Sequence, residues 1–277
     1  MPTANKPMSN AMKFVFWFVA VNALAGALSL LLFPTRTGTL FFWEIKPALN
    51  AALFGALYLG GAVAVAWVTY RGAWEPARFL VPVLVTAGVL ISVITLVHLN
   101  RFATGFKLVY WLLVYVGAPL LALYFYASHE RRGANWTATK PVYAATRFIA
   151  VALGSVLVVL GIGLLIWPEL AIPFWPWPMT PLMLRVFAAW FAAFGAGLLW
   201  FLVERDWSRL QAVANLMIAA SALDLLMILI YRADLTTTGI SLWIYCFHLA
   251  MFGAVGLLMH GLQWLLAPRR LVPAAGS

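Results

Sequence analysis

The chain has 277 residues, 65% of them hydrophobic and only 9% charged, with a formal net charge of +10. An ordinary soluble domain is roughly 25% charged, so a water-soluble fold is excluded: a chain of this size has no means of hiding so much apolar surface. The basic residues stand singly between apolar runs and form no stripe, which argues against nucleic acid as a partner and for the lipid bilayer. Cys246 is the only cysteine, so neither an internal disulfide nor a paired-cysteine metal site can form.

The first apolar run covers residues 14–33 and follows Lys6 and Lys13, in the manner of a signal peptide. A run of about 20 residues at roughly 1.5 Å each matches a hydrocarbon core of about 30 Å. It also continues through Leu30, Leu31 and Leu32, beyond the cleavage-like Ala23-Leu24-Ala25, and is read as the first membrane helix. Further runs of spanning length follow at residues 48–70, 79–97, 108–127, 148–167, 182–203, 210–230 and 241–266. Pro82 and Pro119 fall inside the third and fourth and predict kinks. None of the runs alternates like a barrel strand, and an open sheet cannot persist in hydrocarbon. The fold class is therefore all-α: a polytopic integral membrane protein with about eight transmembrane helices.

Twelve Lys and Arg, among them Lys6, Arg78, Arg209, Arg269 and Arg270, fall on the side of both termini and the even-numbered connections. Six fall on the other: Arg36, Lys46, Arg101, Lys107, Arg185 and Arg232. The positive-inside rule then predicts a plasma (inner) membrane protein with both termini cytoplasmic. Asn135-Trp136-Thr137 fits a glycosylation acceptor but falls on the cytoplasmic side. The outer side receives Trp43 and the Phe174-Trp175-Pro176-Trp177-Pro178 stretch, which reads as an aromatic belt.

The two halves resemble each other. A shift of 134 residues sets Phe33-Pro34 on Trp167-Pro168, Trp43 on Trp177, Pro47 on Pro181 and Gly61-Ala62 on Gly195-Ala196. With small gaps, Arg71 then meets Arg205, Arg101 meets Arg232, and Trp111 meets Trp243. The expected organisation is two parallel four-helix repeats, residues 1–128 and 143–277, joined by a cytoplasmic linker at 129–142. Four spans per unit is an even number, so both copies insert the same way up. Small residues at spacing four, Ala52, Ala56, Gly60 and Ala64 in the second segment and Ala188, Ala192 and Ala196 in the sixth, predict the tightest helix contacts, either between these two helices or within their own halves. The runs Phe42-Trp43-Glu44-Ile45-Lys46-Pro47, Leu96-Val97-His98-Leu99-Asn100-Arg101-Phe102 and Trp175-Pro176-Trp177-Pro178-Met179-Thr180-Pro181 resemble a group of uncharacterised bacterial polytopic membrane proteins. The resemblance covers most of the chain and implies bacterial origin and the eight-span duplication, with no activity attached.

Candidate chemistry is sparse. His248 and His260 share the last segment but sit 12 residues apart, about 18 Å along a helix, so they cannot ligate one haem, and His248 reads as a hydrogen-bonded core residue. A pigment needing one axial ligand stays open, and no cofactor is assigned. No HExxH, phosphate loop or nucleophile elbow occurs, and seven of the eight acids lie in connections. No lysine lies within a segment, which removes a retinal-type Schiff base.

Two features remain. A basic and aromatic outer mouth combines His98, Arg101, Arg185 and Arg232 with Trp43 and Trp177, suited either to a ligand headgroup or to plain interfacial anchoring. Asp224 is the one carboxylate inside a span, where an ionised group costs at least about 2.5 kcal/mol; Arg185 at similar depth is its expected partner. The expected function is non-enzymatic: binding or transport of a small amphipathic or lipid-like ligand between the repeats. The alternatives are an accessory or scaffold subunit beside other membrane subunits, and a lipid-modifying enzyme.

Overall fold

A computed structural model of the protein describes residues 5–266; Arg269 and Arg270, and the outermost parts of both expected repeats, lie outside them. Eight described helices are long and apolar enough to cross a membrane: α1 (Asn10–Leu32), α2 (Ala48–Arg71), α3 (Glu75–Val97), α4 (Phe106–Glu130), α5 (Ala144–Ile166), α6 (Pro181–Leu202), α7 (Trp207–Ile230) and α8 (Ile240–Leu265). Among the described residues no strand forms, only the isolated backbone bridges Pro7–Ala73 and Pro141–Asp206. The molecule is an all-α, multi-pass integral membrane protein.

The helix boundaries have local causes. Ser9 starts α1 by accepting a hydrogen bond from the Met12 amide at 3.2 Å. Gly72 ends α2 in a left-handed conformation (φ 64°) that a side chain would oppose. Pro82 lies in the first turn of the α-helical part of α3, which begins at Leu80, so its missing donor costs nothing and requires no kink. Pro119 does perturb α4. It cannot donate to the Tyr115 carbonyl one turn back, and the helix passes through a π-helical turn at Leu113–Gly117 just before it.

Packing follows one rule. The hairpins α1–α2, α3–α4, α5–α6 and α7–α8 each pack internally, α1 also meets α4, and α5 also meets α8. The main helix contact between the halves runs along two seams, α2–α7 and α3–α6, and α7 also meets the start of α3 at Glu75–Ala77. Adding four to each helix number reproduces the same set of pairs. Similar backbone bonds occur in both halves, one residue out of the sequence register on one side: Met8 N–H donates to Gly72 O and Trp74 N–H to Lys6 O, while Val142 N–H donates to Arg205 O and Trp207 N–H to Lys140 O. Phe33 and Trp167, which close α1 and α5, share nearly one conformation, φ/ψ −132°/51° and −123°/57°.

Small residues set the closest approaches within each half, not between α2 and α6. A Cβ on Gly161 of α5 would lie 2.7 Å from the Ala188 carbonyl of α6, and one on Gly195 of α6 would lie 2.7 Å from the Gly154 carbonyl of α5. In hydrocarbon, where burial of apolar surface gives no net drive, such backbone contact is what holds helices together.

Candidate functional site

At the end of the bundle that carries the expected mouth, its residues resolve into separate clusters. Arg185, at the start of α6, donates from Nε to the Leu165 carbonyl at 2.9 Å and from Nη1 to His98 Nε2 at 3.0 Å, and pairs with Glu169 at 3.7 Å. His98 must accept at Nε2, so its proton sits on Nδ1 and the ring is neutral. Burial, then the positive charges of Arg185 and Arg101, push its pKa below the ordinary histidine value, with Glu169 opposing. Arg101 and Arg232 occupy exposed 3₁₀ turns.

Trp43 and Trp177 are not lipid-facing belt residues. Trp43 is 4% exposed, in a ring cluster with Phe41, Phe102 and Trp111. Trp177 is 1% exposed and donates to Asn50 Oδ1 at 2.7 Å. Asn50, fully buried on α2, donates in turn to Lys46 O and Pro178 O. Asp234 accepts from the Leu49 amide at 2.8 Å, so a carboxylate of the second half caps the start of α2. A lone asparagine in an apolar run was the available sequence signal for this junction.

Asp224 does not pair with Arg185. Its Oδ1 is buried with no hydrogen-bond partner among the described residues, and Tyr245 of α8 lies within electrostatic reach. The reason is helix placement: α6 packs against α5 and α3, while α7 packs against α8 and α2, so equal depth does not bring the two side chains together. His248 departs from expectation too, being exposed on α8, with Nδ1 against its own Ile244 carbonyl.

The largest surprise lies at the opposite end. Glu75, Glu130, Glu204 and Asp206, placed by sequence in connections, are each at most 1% exposed. Glu204 pairs with Arg78 at 2.7 Å and with Arg209 at 3.3 Å, and both arginines are buried, not snorkelling flanks. Glu75 accepts from the Lys6 and Asn135 amides, and Glu130 accepts from the Ser9 amide and faces Lys6 Nζ at 3.6 Å. Trp136 covers the Arg78 guanidinium at 3.9 Å. Burial alone would raise the Asp206 pKa, but hydrogen bonds from Ser208 and Thr139 outweigh it and hold the carboxyl below its ordinary range. Thus the segment 129–142 is fastened to both halves by buried charge.

Two spaces remain open. A groove of about 700 Å³ runs along the α2–α7 seam. Leu59, Gly60, Val63 and Leu216 line its apolar length, and Arg71, Ser208 and Gln211 its end near the amino terminus. A second cavity of about 250 Å³ lies among α1, α2, α3 and α4 and reaches Trp190 of α6. Among the described residues no cluster of three metal-ligating side chains occurs. Comparison of the chain with protein-family models, with curated proteins and with solved structures finds no match. The class of protein therefore rests on its eight spans and on these two spaces.

Proposed function

We propose that the protein is a non-enzymatic membrane protein that binds, and in that way holds or moves, an anionic lipid-like molecule in the α2–α7 groove, where the two halves meet. The observation that carries this reading is the groove's polarity along its length. From Ser208 to Leu223 it follows α7 for about 22 Å at roughly 1.5 Å per residue, more than one leaflet's depth. Arg71 stands at one end on the face of Trp67, at 5.8 Å, with no carboxylate partner among the described residues. An acyl chain fits the apolar length and a negative headgroup fits Arg71. Both termini on the cytoplasmic side would put that headgroup in the cytoplasmic leaflet.

The test is mass spectrometry of the protein released from its own membrane, followed by titration with phosphatidylglycerol and phosphatidylcholine. Phosphatidylglycerol should be retained preferentially, and Arg71→Gln should weaken it about five-fold, the worth of one interfacial arginine. Val63→Trp, which fills the groove, should release both lipids. Equal retention of the two lipids by the natural protein would sink the reading.

One observation favours the accessory-subunit alternative. His248 lies about 12 Å inside α8 yet faces outward, where a polar ring is costly against lipid and at ease against a partner helix. A stoichiometric companion chain in the same preparation, lost on His248→Leu, would establish it.

A further inference from the structure

The cavity inside the first four helices carries hydrogen-bond donors with nothing to receive them. Tyr58 of α2 and Tyr115 of α4 line it, each more than nine-tenths buried, with their hydroxyls in mutual contact. That contact uses one of the two hydroxyl hydrogens, and among the described residues no acceptor meets the other. Trp190 also lines the cavity, its ring 6.1 Å from that of Tyr58, and its buried indole N–H has no acceptor either. The remaining polar groups are occupied. Tyr110 donates to Asn22 Oδ1, Asn22 donates to Phe18 O, and Ser29 donates to Gly26 O.

Two unmet donors in so apolar a place each cost on the order of 1–3 kcal/mol if left empty-handed. The chain goes to some length to hold them there. Tyr115 lies in the π-helical turn Leu113–Gly117, a local departure that often marks a working position. Gly88 lets α3 meet that turn, since a Cβ would lie 2.5 Å from Pro119 and 2.7 Å from the Tyr115 carbonyl. Under the sequence register Tyr58 falls opposite Ala192 and Tyr115 opposite Phe247, so the second half has no hydroxyl at either position.

We infer that this cavity is a binding site for an uncharged, lipid-soluble molecule that presents a carbonyl oxygen to Tyr58, Tyr115 and Trp190. A charged ligand is disfavoured because no Asp, Glu, Lys, Arg or His lines the space to meet its charge. An acceptor is required because the orphans are all donors. A flat or slender body is favoured by the aromatic walls of Phe41, Phe42 and Trp111. Such a carbonyl has two sources in a membrane, a quinone ring or a neutral glyceride ester. This site is separate from the α2–α7 groove and stands whether or not lipid binds there.

The experiment is equilibrium binding to the whole protein in maltoside micelles, which offer no carbonyl of their own. The probes are a decyl-substituted benzoquinone and dioleoylglycerol. Saturable binding of one probe should weaken about five- to ten-fold in the double variant Tyr58→Phe, Tyr115→Phe, which removes the hydroxyls and keeps the rings. Trp190→Phe should weaken it similarly, and decides the matter if the double variant fails to fold. Arg71→Gln should leave it unchanged. The probe whose binding depends on the donors identifies the source. Binding of neither probe, or binding equal in the natural protein and the variants, overturns the inference.

Discussion

His98 is tuned to be neutral, and that makes it the residue through which acid first weakens the end of the bundle it shares with Arg185. Its folded pKa lies below the unfolded value of 6.5, so its contribution is fully present above 6.5 and is lost as pH falls through the folded value. Asp206, also depressed, adds loss in the same direction at still lower pH. The melting temperature should therefore fall on acidification below about pH 6.5, and His98→Gln, which keeps an acceptor for Arg185, should flatten the part of that fall nearest neutrality. Asp224 has the opposite character. With one oxygen buried and unmatched, Asp224→Leu should stabilise the protein by roughly 1–3 kcal/mol in thermal melts, and its effect should add to that of Arg185→Ala. Strong coupling between the two would restore the ion pair expected from sequence. That expectation failed for a definite reason: depth along a helix can be counted in residues, whereas the direction in which a side chain leaves the axis depends on neighbours. The buried acids at the other end were illegible because Glu75, Glu130, Glu204 and Asp206 look like any loop acid until the chain folds over them.

The eight helices were legible because bilayer thickness acts on every one of them, and their residue counts carry it directly. Their ends moved by a few residues where caps such as Ser9 took over from hydropathy. Neighbour choice was less legible. Consecutive elements usually pack together, yet α6 and α7 are joined by a short turn and still take different partners. Small residues pointed to close contacts of α2 and α6 either with each other or within their own halves, and the second holds: α2 approaches α1 and α6 approaches α5. Two glycines on α5 offer a test at this scale. Gly161→Ala would press a methyl group against the Ala188 carbonyl, and should cost about 1–3 kcal/mol in a detergent melt. Gly163 meets nothing within 4 Å, so Gly163→Ala should be neutral or stabilising by up to about 1 kcal/mol. If both behave alike, backbone proximity is not what holds α5 to α6.

For the molecule as a whole, the fastening of residues 129–142 makes the halves one mechanical unit. Glu204→Gln should leave Arg78 and Arg209 without their shared carboxylate and cost about 3–5 kcal/mol. It should also open the segment to trypsin at the exposed Arg131 and Arg132 faster than in the natural protein; unchanged cleavage would mean the pairs do not govern it. A two-fold arrangement of parallel repeats would be tested by rotating α1–α4 onto α5–α8 and asking whether Trp43 meets Trp177. The same ion pair has a consequence during synthesis. Glu204 follows Arg78 by 126 residues, so at 5–20 residues per second Arg78 waits roughly 6–25 s for its counter-charge. Throughout that interval the arginine is an unmatched positive charge beside a newly inserted hairpin, the kind of signal that fixes which way a helix enters the bilayer. Once Glu204 arrives the arginine is paired and buried, so under the orientation expected from the positive-inside count one residue would serve as a topological marker early and as a clasp late.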